Sequence, residues 1–291
     1  MSQVFSGQLL YDQPMASYTS WRVGGKADKL YKPNDKQDLQ DFVVALPSDT
    51  AIFYLGLGSN VLIRDGGIRG AVINTRGNVK QMQLINELSV YVECGVPCAH
   101  VAKFCAEHGL AGADFLAGIP GTMGGALKMN AGAFGAETWG LVASVEVLSP
   151  ESGLITHQAA DFKVDYRSVS GLKKNSCFIS AVLTLSVSKQ ASDIKALLAK
   201  RNATQPTNLP SCGSVFKNPD GDYAARLIEV SDLKGVTIGG AAVSTKHANF
   251  IVNTGNATAF DIEQLIHYVQ QQVLEQQGVL LSTEVCIVGE Q

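Results

Sequence analysis

Apolar residues recur in this sequence with two different periods. In the first third they come in short β-prone runs cut by glycine: AIFYL at 51–55, VLIRDGG from 61, GAVINT at 70–75 and SVYVECG at 89–95. Runs of this kind, bounded by Gly and Asn, predict strands. VASVEVLSP and CFISAVLTLSV predict two more in the middle of the chain. A helical period rules elsewhere. After Pro97, the residues Cys98, Val101, Ala102 and Cys105 fall on one stripe of a predicted helix. SDIKALLAKRNATQP at 192–206 predicts a helix with Ser192 as N-cap and a stop before Pro206. DYAARLIEV predicts a short helix, HANFIVNTG a strand, and AFDIEQLIHYVQQQVLEQQG a long amphipathic helix. In the last, Ile262, Leu265, Ile266, Val269 and Val273 share one face and Gly278 supplies the stop. VLLSTEVCIVG predicts a closing strand. Strands and helices mixed in this way, without an internal repeat, predict an α+β protein of about three lobes with a boundary near residue 190.

Composition agrees with more than one core. The chain has 291 residues, 46% of them hydrophobic and 17% charged, and a single core rarely grows past roughly 250–300 residues. The 23 basic and 26 acidic residues form no basic run, so nucleic acid is not an expected partner. No stretch reaches the roughly 18 apolar residues of a membrane span. The opening MSQVFSGQLLYDQP lacks the layout of a signal peptide. These features predict a cytoplasmic protein whose six cysteines are thiols. Cys94, Cys98, His100, Cys105 and His108 invite a metal test, but a zinc site prefers two short-spaced ligand pairs, and the second is missing. The cysteines on the helical stripe read as core, and no metal is expected.

Glycine changes the picture. YLGLGSNVLIRDGG contains Gly56-x-Gly58, but Val61 stands where a dinucleotide fingerprint needs its third glycine, and a strand follows in place of a helix. GIPGTMGGALK lacks the Lys-Ser/Thr end of a P-loop. Both stretches still have the physics of a pyrophosphate cradle. Glycines let backbone N–H groups approach anionic oxygens, and Ser59, Asn60 and Thr122 add side-chain donors. Seven glycines lie between 112 and 135. Two such loops about sixty residues apart predict a large phosphate-bearing ligand. NLPSCGSVFKNP at 208–219 places Ser211, Cys212 and Ser214 in one turn. On residue chemistry alone each could exchange a proton, and the thiol is the better acid, with an ordinary pKa near 8.5.

LGLGSNVLIRDGG followed by LAGIPGTMGGALKMNAGAFG resembles the FAD-binding domain of the vanillyl-alcohol-oxidase/p-cresol-methylhydroxylase type. With TSWRVGGKAD, VDYRSV, PSCGSVFKNP, GAAVSTKHANFIVN and STEVCIVG in that order, the chain is similar to the UDP-N-acetylenolpyruvoylglucosamine reductase family from about Thr19 to Gly289. The resemblance implies two FAD-binding lobes, 1–75 and 76–190, and a C-terminal α+β substrate-binding domain, 191–291. It implies a cytoplasmic, monomeric enzyme of peptidoglycan precursor synthesis, in which NADPH reduces FAD and the flavin reduces the enolpyruvyl ether of UDP-N-acetylglucosamine to give UDP-N-acetylmuramate. With no His or Cys in the first glycine loop, the FAD is expected to be non-covalent.

The family's proton donor corresponds to Ser214, and its enolate-stabilising pair to Arg167 and Glu284. Cys212 then reads as a packing residue. The resemblance implies cofactor contacts at Gly56, Gly58, Ser59, Asn60, Gly118, Ile119, Pro120, Gly121, Thr122, Gly124, Gly125, Asn130 and Ala131. It implies substrate contacts at Tyr166, Lys217, Asn218, Lys246, His247 and Asn249, with His247 equally readable as structural. Only 47 positions separate Arg167 from Ser214, and no tyrosine lies between Tyr166 and Tyr223, which resembles the shorter form of the family, without a tyrosine loop. Two other readings stay open. An FAD-linked oxidase would explain the glycine loops but not PSCGSVFKNP or Glu284, and a non-catalytic nucleotide-sugar binder would be colourless.

Overall fold

The computed structural model describes residues 5–187 and 193–291. Ser192, the predicted helix cap, and the division at 190 lie outside the described residues. The chain groups into two compact units that do not follow chain order. One comprises Met1–Tyr11, Lys29–Leu57 and Gly70–Lys200, the other Asp12–Asp28, Gly58–Arg69 and Arg201–Gln291.

The first unit has two cores. A five-stranded antiparallel sheet, in the order 153–158, 142–149, 177–184, 89–93, 82–86, forms the floor of the larger one. Helices α2 (Cys98–Glu107) and α3 (Met123–Met129) contribute to it. The predicted stripe is the buried face of α2: Cys98, Val101, Ala102 and Cys105 are all in the core. His100 and His108, on the same segment, are exposed. The smaller core collects Tyr31, Leu39, Phe42, Ile73, Cys94 and Ile179. Helix α1 (Lys36–Ala45) enters it, capped by the Asp35 carboxylate on the Asp38 N–H. Lys36 ties the start of α1 to Glu146 of the sheet at 2.8 Å. A further sheet has the order Gln8–Pro14, Lys26–Lys32, Ile68–Asn74, Ile52–Leu55.

The second unit is built on helices α5 (Ala224–Val230) and α6 (Ala259–Gln277) around Trp21, Leu62, Val215 and Phe216. Helix α4 (Ile194–Thr204) crosses the division between the units in the chain. The five residues predicted to face inward on α6 are buried, and Gly278 ends it in the left-handed conformation, φ 71°. Thr258 and Asp261 form its capping box. Glu263, also on the buried face, is held by Arg64 through Nε at 2.9 Å and Nη2 at 2.7 Å. Strand 286–288 pairs in parallel with 61–63, and a small antiparallel sheet has the order 237–238, 241–243, 251–253.

Two predicted strands are shorter than their apolar runs. HANFIVNTG contributes only Ile251–Asn253, because the Ser244 hydroxyl accepts the N–H groups of Lys246 and His247 and folds 244–250 into a turn. VLLSTEVCIVG contributes only Cys286–Val288; its earlier part meets the Ser214 segment instead.

Candidate active site

In the first unit, the glycine-rich stretch is fastened to the segment before α2. Cys98 N–H donates to Gly121 O, Met123 N–H to Val96 O and Gly124 N–H to Cys94 O, each at 2.9 Å. The approach is close enough that a Cβ at Gly124 would stand 2.9 Å from Cys94 Cβ, and one at Gly118 would stand 2.5 Å from the Phe134 ring. Gly56 lies against the Thr122 side chain, where any Cβ would collide with Oγ1. Among the described residues, the N–H groups of Gly121, Thr122 and Gly125 donate to no protein acceptor. Nothing lies within 4 Å of where a Gly125 Cβ would be. Ile119, half-buried, and Pro120, exposed, precede these donors in the chain. The loop thus offers unpaired N–H groups on a fixed backbone, which is what an anionic diphosphate requires.

The same stretch seats Arg167. Asn130, at φ 46°, is 1% exposed; its Nδ2 donates to Glu137 Oε2 at 2.8 Å and to Asp165 O at 3.2 Å. Ala131 is buried beside it, its carbonyl accepting the Thr138 hydroxyl at 2.7 Å. Asp165 begins a two-residue turn, closed by its pairing with Ser168, whose residues are Tyr166 and Arg167. Arg167 has φ 52°, unusual for a residue with a Cβ. Its guanidinium donates through Nη2 to Gly132 O at 2.9 Å and through Nη1 to Asn130 O at 3.4 Å, with Glu137 at 3.5 Å and the Tyr166 ring centroid at 5.0 Å. The side chain is 15% exposed. Its fork is therefore aimed by the carbonyls of the glycine-rich stretch. Glu137 went unnoticed in the sequence, where a lone Glu after FGA carries no signal.

In the second unit, Ser214 follows Gly213, at φ 72°, and precedes Val215 and Phe216 of the core. The segment runs beside 282–285. Glu284 N–H donates to Val215 O at 2.8 Å, Lys217 N–H donates to Ser282 O at 2.9 Å, and Phe216 bridges Thr283. Ser214 and Glu284 thus come from neighbouring backbones, both half-buried. Asn60 reaches the same place, its Nδ2 donating to Glu284 O at 3.0 Å and its carbonyl accepting Cys286 N–H at 3.1 Å. Cys212 is 3% exposed, its thiol directed at Val61 O (3.4 Å) and Gly58 O (3.6 Å), and burial pushes its pKa up to about 12. It packs in the core and braces the Gly58–Asn60 turn, which holds the half-buried Ser59. Gly58 itself has φ 62°.

The remaining polar candidates divide by environment. Lys217 is half-buried and Asn218 exposed, with Asn218 Oδ1 accepting Ala224 N–H at 3.1 Å. Lys246 is exposed and donates to Asn202 O at 2.6 Å. His247 packs edge-on against Phe250 at 4.7 Å; burial lowers its pKa, and Nδ1 accepts Asn249 N–H at 3.3 Å. Asn249 is buried, with both ends of its amide on Phe216.

Comparison with known proteins matches most of these residues to two domain families, with Tyr166 and Arg167 lying between the two matches. Residues 27–157, with both glycine loops, match the FAD binding domain, and residues 205–288 match the C-terminal domain of UDP-N-acetylenolpyruvoylglucosamine reductase. Reductases of that name from Methylococcus capsulatus and Coxiella burnetii are 54% and 51% identical, covering 98% and 97% of this chain and 94% and 96% of their own. The chain belongs to the UDP-N-acetylenolpyruvoylglucosamine reductase family. The crystal structure of the Thermus caldophilus reductase superposes with a TM-score of 0.82 at 29% identity, covering 98% of this chain and 99% of that one. The protein is an FAD-dependent oxidoreductase of the α+β class. The donor set fits the cofactor: Gly121, Thr122 and Gly125 would hold its diphosphate, and Gly56 lets the two loops' atoms come close without a Cβ between them. Among the described residues no helix is long and apolar enough to cross a membrane.

Proposed function

We propose that this chain reduces the enolpyruvyl ether of UDP-N-acetylglucosamine to UDP-N-acetylmuramate, with NADPH as reductant, in peptidoglycan precursor synthesis. FAD held without a covalent link would supply hydride transfer from NADPH to the terminal carbon of the enolpyruvyl group. The observation that supports this reading best is the pairing of the Ser214 segment with the Glu284 segment through Val215. It brings the backbones that carry the hydroxyl and the carboxyl side by side.

The reaction leaves negative charge on the second enolpyruvyl carbon and its carboxylate. Ser214 delivers the proton to that carbon and recovers it from solvent. Arg167 offers a planar, permanently charged fork to the carboxylate, and the carbonyls of Gly132 and Asn130 fix its direction before substrate arrives. Preorganised charge of this kind is commonly the largest catalytic term. Glu284 joins Arg167 in stabilising the enolate. Lys217 faces the substrate diphosphate. Tyr166, Asn218, Lys246, His247 and Asn249 belong to the substrate side, and Asn218, with Oδ1 already bonded to Ala224, offers its NH2 group. The cofactor side comprises Gly56, Gly58, Ser59, Asn60, Gly118 to Thr122, Gly124, Gly125, Asn130 and Ala131. The enzyme works as a cytoplasmic monomer.

The test is anaerobic NADPH oxidation by the yellow holoenzyme, with and without the enolpyruvyl sugar. Oxidation that depends on the sugar, with UDP-N-acetylmuramate as product, is expected. Equal steady-state rates with and without it would sink the proposal.

A further inference from the structure

We propose that Asn249 is a positioning residue for the proton donor, its side-chain amide acting as a strand partner that fixes the backbone after Ser214. The inference rests on the reduction proposed above and narrows the place given there to Asn249.

Asn249 makes three hydrogen bonds to two consecutive residues. Its carbonyl accepts Val215 N–H at 2.9 Å, its Oδ1 accepts Phe216 N–H at 2.9 Å, and its Nδ2 donates to Phe216 O at 2.8 Å. The last two reproduce the exchange of N–H and C=O that one strand makes with another. The other side of the segment is covered by 282–285, with Glu284 and Val285 N–H groups on Val215 O and Lys217 N–H on Ser282 O. Val215 and Phe216 are thus clamped between the Glu284 segment and Asn249. Upstream, Pro210 O accepts Asn253 N–H at 2.9 Å, Ser211 bridges Val252 and Cys212 lies in the core, so only the left-handed Gly213, with nothing within 4 Å of its missing Cβ, separates Ser214 from that anchor. The direction of Ser214 is therefore set jointly from both sides, and Asn249 with the Glu284 segment supplies the downstream half.

Asn249 is 4% exposed, and both ends of its amide are engaged. Contact with substrate would break a buried bond and leave a Phe216 group unpaired. His247 supports it in turn, Nδ1 accepting Asn249 N–H. The pattern requires one donor and one acceptor at a fixed spacing. An ionised Asp keeps the acceptor for Phe216 N–H but turns an oxygen towards Phe216 O. Protonated, it restores a donor.

The test uses the full-length holoenzymes with Asn249→Asp and Asn249→Ala, in anaerobic stopped flow. In Asn249→Asp, flavin reduction by NADPH should stay within about twofold, and the KM for the enolpyruvyl sugar should hardly move. Reoxidation by the sugar should fall about tenfold to a hundredfold, the scale of a small misplacement of a reacting group, with a larger solvent isotope effect. Acidification should recover reoxidation relative to wild type as the introduced carboxyl takes up its proton. Asn249→Asp keeps the size and one bond, so it carries the test whether or not Asn249→Ala folds. The proposal is overturned by unchanged reoxidation in Asn249→Asp, by a raised KM at constant kcat (a direct substrate contact), or by both half-reactions falling together with the folded fraction. If the sugar fails to reoxidise the wild-type flavin, the underlying reduction falls first, and the wild-type arm reports that separately.

Discussion

Ser211, Cys212 and Ser214 crowd one turn, and the structure separates the last two by burial in a way that one pair of variants can check. Cys212 lies in the core with Trp21, Leu62 and Phe216, its thiol on two carbonyls. Cys212→Ala removes one buried heavy atom, about 0.8 kcal/mol by area. A residual cavity and two weak S–H contacts bring the cost to about 1–2 kcal/mol. For a chain of this size that lowers Tm by about 2–6 °C. Ser214 is half-buried at the end of the turn, so Ser214→Ala should alter stability by no more than about 0.5 kcal/mol. Loss of a positioned proton donor costs about 10²–10⁴ in rate, or about 3–5.5 kcal/mol of barrier. Thermal melts and anaerobic half-reactions should therefore dissociate. Ser214→Ala melts normally and is reduced by NADPH, but hardly reoxidises with the sugar. Cys212→Ala melts early and turns over. Near-normal reoxidation in Ser214→Ala, or its loss in Cys212→Ala, refutes the assignment, and the second result moves the donor two residues upstream.

Arg64 holds Glu263 below its ordinary pKa of 4.5, chiefly through their hydrogen bonds. A depressed folded value means this stabilisation is complete above the unfolded pKa and is lost as pH falls through the folded one. Glu263→Gln should cost about 1–3 kcal/mol at neutral pH in urea unfolding and flatten the acid limb of the stability curve; an unchanged acid limb contradicts this. Gly56→Ala drives a Cβ into the side chain of Thr122, itself 2% exposed and unable to swing away. FAD affinity by fluorescence titration should drop at least about tenfold, equivalent to about 1.4 kcal/mol, and unaltered affinity would show that the loop yields. Arg167→Lys keeps the charge but loses the fork that reaches Gly132 and Asn130. Sugar-dependent reoxidation should fall about tenfold or more with the melt little changed, and equal rates would deny the aimed guanidinium a role.

Legibility in the sequence followed the range of the interactions. The stripe on α6 and the cysteine stripe on α2 could be read because burial repeats with the helix itself. Helix α3 could not. MGGALKM is seven residues with two glycines, and it is anchored by Met123 and Gly124 donating to Val96 and Cys94, 27 and 30 positions upstream. The grouping of Asp12–Asp28 and Gly58–Arg69 with the C-terminal residues was equally invisible. Trp21 Nε1 donates to Ile251 O, 230 positions away, and no local period encodes such a partner. A division by sequence order and a grouping by contact answer different questions.

The site shows a subtler gap. Motif order singles out Asn60, Asn130, Asn218 and Asn249 as ligand contacts, yet each side chain has a partner on the protein's own backbone. The reason is chemical. A carboxamide presents the same donor and acceptor as a peptide group, so it can replace a strand as readily as bind a ligand. Burial tells the two uses apart. Asn130 and Asn249 are enclosed, with the donor and acceptor ends of their amides both bonded, whereas Asn218 is exposed with its amide nitrogen outward of the Ala224 bond. The enclosed pair stand beside Arg167 and Ser214 respectively, one in each unit. On the reading proposed here, the Asn249 amide would fix the backbone after Ser214, and the Asn130 amide, bonded to Glu137, Asp165 O and Trp139 N–H, would hold the backbone carbonyl that meets Arg167, neither amide touching substrate. Substitutions at such positions should register in kcat before KM, which is the opposite of what a ligand contact would give.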